Sequence, residues 1–227
     1  MNTLKSFNGD TKLKEVLLKE IIRHRKADQI IQGSYGENGD NFKGCAVGCS
    51  IHSLNVKFGK NYNPSDHTVY EKELGMPEWL ARLEDKIFEG LPKEDSMKWP
   101  EQFIKAVPVG VNLEKVKWQF CSYLLKENID RVLGLKISDS LKEQVVSVIR
   151  QVLSVHETAI KTGKWDGSAA KSAEWSAWSA ARSAERSAES AAWSAEWSAE
   201  SAAESAARSA AYIKYSKELL KLLKSVK

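Results

Sequence analysis

Ser168 to Ala211 reads SAAKSAEWSAW, SAARSAERSAE, SAAWSAEWSAE, SAAESAARSAA, four elevens in unbroken succession. Serine stands at 168, 172, 176, 179, 183, 187, 190, 194, 198, 201, 205 and 209, each followed by alanine, so the spacing cycles 4, 4, 3. Eleven residues over three turns is about 3.67 per turn, close to the relaxed α-helix, which holds Ser and Ala on one face with at most a slight right-handed supercoil. Neither Gly nor Pro interrupts the repeat or the following Tyr212 to Lys227. The spacing predicts one straight helix, about 66 Å long over the repeat at about 1.5 Å per residue.

Side-chain size says what such a stripe is for. Ala and Ser bury little apolar area, so the face cannot drive association as Leu or Phe would. It permits close approach instead, towards the short end of the 8 to 10 Å range between helix axes, with Ser hydroxyls bonding back to their own helix. A partner helix is therefore expected, either a second copy of the chain or a helix from its N-terminal region. Ser172, Ser183, Ser187 and Ser194 are the expected contact points. Trp175, Trp193 and Trp197 flank them, and each aromatic ring covers about 150 to 250 Å² when packed.

Upstream, the pattern is helical as well. Leu13, Val16, Leu17, Ile21, Ala27, Ile30 and Ile31 recur at three and four spacing and predict an amphipathic helix over Lys12 to Gln32, stopped by Gly33. Pro77 opens PEWLARLEDKIFEGL and Gly90-Leu91-Pro92 closes it. Trp99-Pro100 begins a short helix to about Val107. Asn112 caps one to Leu133, and Ser138 or Ser140 caps another to about Lys161. No stretch alternates as a strand does. The fold class read from these signals is all-α: a helical domain over 1–162, a joint at 163–167, and a long hendecad-repeat helix over 168–227.

Charge and composition narrow the function. Lys and Arg number 34 against 30 Asp and Glu, a net charge of +4 over 227 residues. That excess is too small for a nucleic-acid footprint. It sits largely in Tyr212 to Lys227, where it complements the negative end of a helix dipole. No run reaches the roughly 20 apolar residues of a membrane span. Met1 to Ser6 lacks a secretory apolar core, and the 3 cysteines cannot all pair. A cytoplasmic protein is expected.

The segment from Gly33 to His52 holds the candidate site. Glycines at 33, 36, 39, 44 and 48 approach a helix start, and amides there can cradle an anion. Gly36, Gly39, Lys43, Gly44, Cys45 and Gly48 are thus candidate contacts for a small phosphorylated ligand, although no Walker pattern is present. If the helix begins near Gly44, then Cys45, Cys49 and His52 share one face, and two thiolates with an imidazole suit Zn²⁺, a fourth ligand coming from His67, His24 or Asp66. The competing reading is a tight core of small residues with cysteines as buried hydrophobes. A thiol nucleophile at Cys45 with His52 or His67 as base lacks a third, orienting group.

The runs GCAVGCSIHS, ELGMPEWLARLEDKIFEGLP and IKAVPVGVNLEKVKWQF, with the Ser-Ala-Ala repeat, resemble bacterial and prophage proteins that share a Gly-Cys-Ala-Val-Gly-Cys segment and an Ala/Ser-rich helical C terminus. The resemblance implies a phage or bacterial setting and carries over no catalytic or binding residue. The expected function is a non-enzymatic helical interaction protein, homo-oligomeric through the Ser-Ala helix and requiring no cofactor. The first alternative is sequestration of a phosphorylated metabolite or nucleotide signal, and the second is a Cys/His metal-dependent or thiol enzyme.

Overall fold

Asp10 opens the first helix, α1 (Thr11–Lys26), where its carboxylate accepts the Lys12 amide at 2.7 Å and satisfies a donor that the helix leaves unpaired. The computed structural model describes residues 4–36, 41–168 and 200–226. Among these residues no strand forms, and the fold is all-α. Leu17, Glu20, Ile21 and His24 make the buried face of α1. The helix stops six residues before the expected Gln32. Asp28 takes a left-handed φ of 51°, and the chain then pairs its backbone with Gly44: the Ile31 amide donates to Gly44 O and the Gly44 amide to Gln29 O, both at 2.9 Å. Ile30 is buried in this bridge, so its place in the apolar spacing reflects contact made off the helix.

The helix α2 (Ala46–Phe58) is buried on every side from Ala46 to Asn55. It packs against α1, α4 (Glu78–Gly90) and α6 (Trp99–Ala106). Two short helices, α3 (Val69–Leu74) and α5 (Lys93–Ser96), connect these and were not resolved in the sequence pattern. Gly75 ends α3 with φ 58°; a Cβ there would lie 2.1 Å from the Lys5 carbonyl. The buried face of α4 is Leu80, Ala81, Glu84, Ile87 and Phe88, a regular helical stripe in which one member is a carboxylate.

The chain divides into two compact units, one comprising Met1–Glu114 with Ala202–Lys227 and the other Lys115–Ser201. This departs from the division at 163–167 expected from composition. The C-terminal helix (Glu200–Ser225) belongs largely to the first unit, with Leu219 and Leu223 fully buried. The Tyr212 ring lies about where a Cβ on Gly90 would be. In the second unit α7 (Glu114–Leu133) and α8 (Asp139–Thr162) start and end as the caps predict: the Ser138 hydroxyl accepts the Leu141 amide, and Gly163 closes α8 at φ 68°. Lys126 and Glu157 pair across these helices at 3.0 Å. The expected interface residues Ser172, Ser183, Ser187, Ser194, Trp175, Trp193 and Trp197 lie outside the described residues, as does Gly39.

Within the first unit, a Cβ at Gly48 would meet the Tyr35 carbonyl oxygen at 2.0 Å. Gly48→Ala should therefore destabilise the protein by about 1 to 3 kcal/mol or more through overpacking. Gly167→Ala, where nothing lies within 4 Å, should be close to neutral. Urea denaturation of both variants followed by far-ultraviolet circular dichroism checks the contrast.

Candidate functional site

The first turn of α2 is where the predicted residues meet. Cys45 is its N-cap, and the thiol sulfur accepts the Gly48 amide at 3.4 Å. The segment Ser34 to Gly36 crosses directly over this turn. Ser34 O accepts the Cys45 amide at 2.6 Å, and the Tyr35 carbonyl oxygen lies 2.5 Å from where a Cβ on Gly44 would be. Gly36, at φ 84°, fits against Phe42 and Lys43 O in the same way. These glycines let two backbones touch. Their amides are used in doing so: Gly44 donates to Gln29 O, Gly36 to Ser34 Oγ, and Gly33 to both Glu89 carboxylate oxygens at 3.1 and 2.9 Å. Lys43 is exposed beside them.

The groups around this turn are acidic. Asp85 and Glu89, one turn apart on α4, come together with Cys45 so that one ligand atom from each lies within 4.8 Å of the others. Tyr35 donates its hydroxyl hydrogen to Asp85 Oδ2 at 2.8 Å. His67 Nε2 lies 3.7 Å from the same oxygen, an electrostatic contact beyond hydrogen-bond reach. Burial works to raise the Asp85 pKa, but the polar hydrogens of His67, Tyr35 and Cys45 turned towards it hold the carboxyl below its usual range. Burial and then the Asp85 charge push the Cys45 thiol well up and Tyr35 up to about 12. A thiol held protonated in this way is a weak nucleophile at neutral pH. Two carboxylates are also poor company for a phosphate.

Deeper in the core stands Glu84, fully buried and pushed by that burial up to about 8. It accepts the Tyr70 hydroxyl at 2.7 Å on Oε2, while its Oε1 has no hydrogen-bond partner. At neutral pH its protonated form predominates.

Cys49 and His52 have other partners. The Cys49 thiol donates to Gly44 O at 3.4 Å and burial raises its pKa. His52 stacks flat on Phe42, with centroids 3.9 Å apart and planes 6° from parallel, and its Nδ1 is 3.5 Å from His24 Nε2. Both α1 and α4 pack against α2. Among the described residues, the ligand atoms that converge are those of Cys45, Asp85 and Glu89 rather than those of the expected set Cys45, Cys49 and His52. Asp85 and Glu89 were missed by sequence reasoning. Their four-residue spacing was a usable signal, but it looks like any solvated helix face until Tyr35 and Cys45 are placed against it.

The second unit has a different character. Of the 20 residues of α7 and the 24 of α8, only Val116, Phe120, Ser122, Val146 and Ala159 are buried. Leu124, Leu125, Val148, Ile149, Val152 and Leu153 are half-buried, and Leu133, Leu135 and Ile137 at the connection are exposed. Cys121 is half-buried, and the His156 ring lies 5.0 Å from that of Trp165. No helix among the described residues is long and apolar enough to cross a membrane. Comparison with protein-family models, curated proteins and solved structures finds no match.

The His24 environment generates a pH prediction. His24 is fully buried, its Nδ1 2.7 Å from Gln29 Oε1, and burial lowers its pKa from 6.5 to about 4. The unfolded chain therefore takes up the proton first as pH falls, and the stability His24 supplies above pH 6.5 is lost on the way down to about 4. Glu84 acts in the opposite sense, losing stability as pH rises from 4.5 towards about 8. Comparing wild type with His24→Gln at each pH cancels that second contribution. Urea titrations should show the variant losing up to about 3 kcal/mol less than wild type across this interval, each pKa unit corresponding to about 1.4 kcal/mol.

Proposed function

We propose that this chain is a non-enzymatic helical interaction protein, of the phage or bacterial type its sequence resembles, that assembles with further copies of itself through its second unit. The observation that carries the reading is the sparse burial in α7 and α8. Both helices repeat apolar residues at three and four spacing, yet nearly all of these side chains remain half-exposed. An amphipathic helix derives most of its stability from packing that face, so a covering surface is called for. The Ser-Ala stripe of the same chain is a chemically suitable cover, because small side chains let a second helix approach closely. The protonated state of Cys45 supports the non-enzymatic half of the reading.

Size-exclusion chromatography with light scattering tests it. Wild type should run as a multiple of 25.4 kDa, and replacing Ser183, Ser187 and Ser194 together by Leu should weaken association by about tenfold or more, a factor of ten being about 1.4 kcal/mol. Leu135→Ser with Ile137→Ser, both exposed positions, should weaken it in the same direction without loss of helix signal. A wild-type mass of a single chain at every loading concentration would overturn the proposal.

A further inference from the structure

Cys45, Asp85 and Glu89 bring a sulfur and two carboxylates together at the first turn of α2. Carboxylates and a cysteine alone would say little. The second observation is independent of them: His67 is 6% exposed, its Nε2 has no hydrogen-bond partner, and that atom points at Asp85. Asp85 Oδ1 is likewise buried without a partner. Buried polar atoms without partners are rare, and a cation held by the imidazole and the carboxylate would give each of them one.

We propose that Cys45, Asp85 and Glu89, with His67 as fourth donor, bind one divalent transition-metal ion of the zinc class. The donor set decides the class. A thiolate ligand disfavours the hard ions Mg²⁺ and Ca²⁺, while sulfur, imidazole and carboxylate together suit borderline-soft Zn²⁺ or Co²⁺. In a tetrahedral site with metal bonds of about 2.0 to 2.3 Å, ligand atoms stand about 3.5 Å apart. Cys45, Asp85 and Glu89 each bring a ligand atom within 4.8 Å of the others, and His67 Nε2 stands 3.7 Å from Asp85. Binding therefore draws both His67 and Glu89 inward, Glu89 being exposed beside a cleft of about 360 Å³ shared with Lys86, Gln32 and Tyr212. Binding exchanges the Cys45 S–H bond for an S–metal bond and releases one proton per ion to solvent. Tyr35, donating to Asp85, is already placed as an outer partner that orients a ligand, and Gly33, which donates to both Glu89 oxygens, would keep at most one of these contacts once Glu89 turns to the ion. The bound ion would join the Gly33 to Gly36 crossing, α2 and α4 at one point. This site is independent of assembly through the second unit.

The test uses the full chain, stripped with a chelator, dialysed and titrated with Co²⁺. One equivalent should bind with a near-ultraviolet thiolate-to-cobalt charge-transfer band that Zn²⁺ displaces, accompanied by release of one proton. Cys45→Ser should abolish the band and Cys49→Ser retain it. Glu89→Gln, at an exposed position that leaves the core intact, should weaken binding at least tenfold with unchanged far-ultraviolet circular dichroism. Absence of the band in wild type, its persistence in Cys45→Ser, or unchanged affinity in both Glu89→Gln and Asp85→Asn would overturn the assignment.

Discussion

The closure of one backbone over another at the first turn of α2 is the constraint from which the rest of the first unit follows. Ser34 O accepts the Cys45 amide, and the Tyr35 carbonyl lies against Gly44 and Gly48, where any side chain would collide. A helix N terminus presents a partial positive charge and unpaired amides. Here the chain supplies its own carbonyls to that end. Because the crossing is tight, the Tyr35 ring is carried to α4, where its hydroxyl reaches Asp85, and Gly33 is carried to Glu89. The acidic cluster is thus a consequence of where the glycines allow the crossing to pass.

The same closure reverses the chemistry suggested by composition. Glycines and a lysine before a helix imply anion binding when the amides are open. Here the amides of Gly44, Cys45 and Gly36 donate inside the chain, and two carboxylates lie nearby. Burial keeps the cysteine protonated. The two units therefore divide the work by kind of packing. The first has a filled core around α2, and the described residues of the second include two helices, α7 and α8, whose apolar side chains are only partly covered.

Much of the architecture was legible because helix boundaries are local. Pro77, Ser138, Gly134, Gly163 and the spacing of apolar residues place α4, α6, α7 and α8 within a few residues of where they lie. The end of α1 was not legible, since Ile30 and Ile31 keep a helical spacing while being used in a bridge to Gly44. Nor was the return of the C-terminal helix to the first unit, where Leu219 and Leu223 are buried and Tyr212 packs against Gly90. The site was half visible. Cys45 stood out as the residue to watch, but the partners of a side chain 40 residues distant depend on which helix crosses it. Glu84 on the apolar stripe of α4 was the strongest unused signal, because a carboxylate at a core position calls for an explanation.

Amide hydrogen exchange at Gly44 and Cys45 in the full chain tests the central claim most directly. With Gln29 O and Ser34 O as their acceptors, both amides should exchange as slowly as those in the middle of α2, and added inorganic phosphate should leave their rates unchanged. Exchange at the rate of an exposed loop, or protection that appears only when phosphate is added, would contradict a helix terminus closed by its own chain.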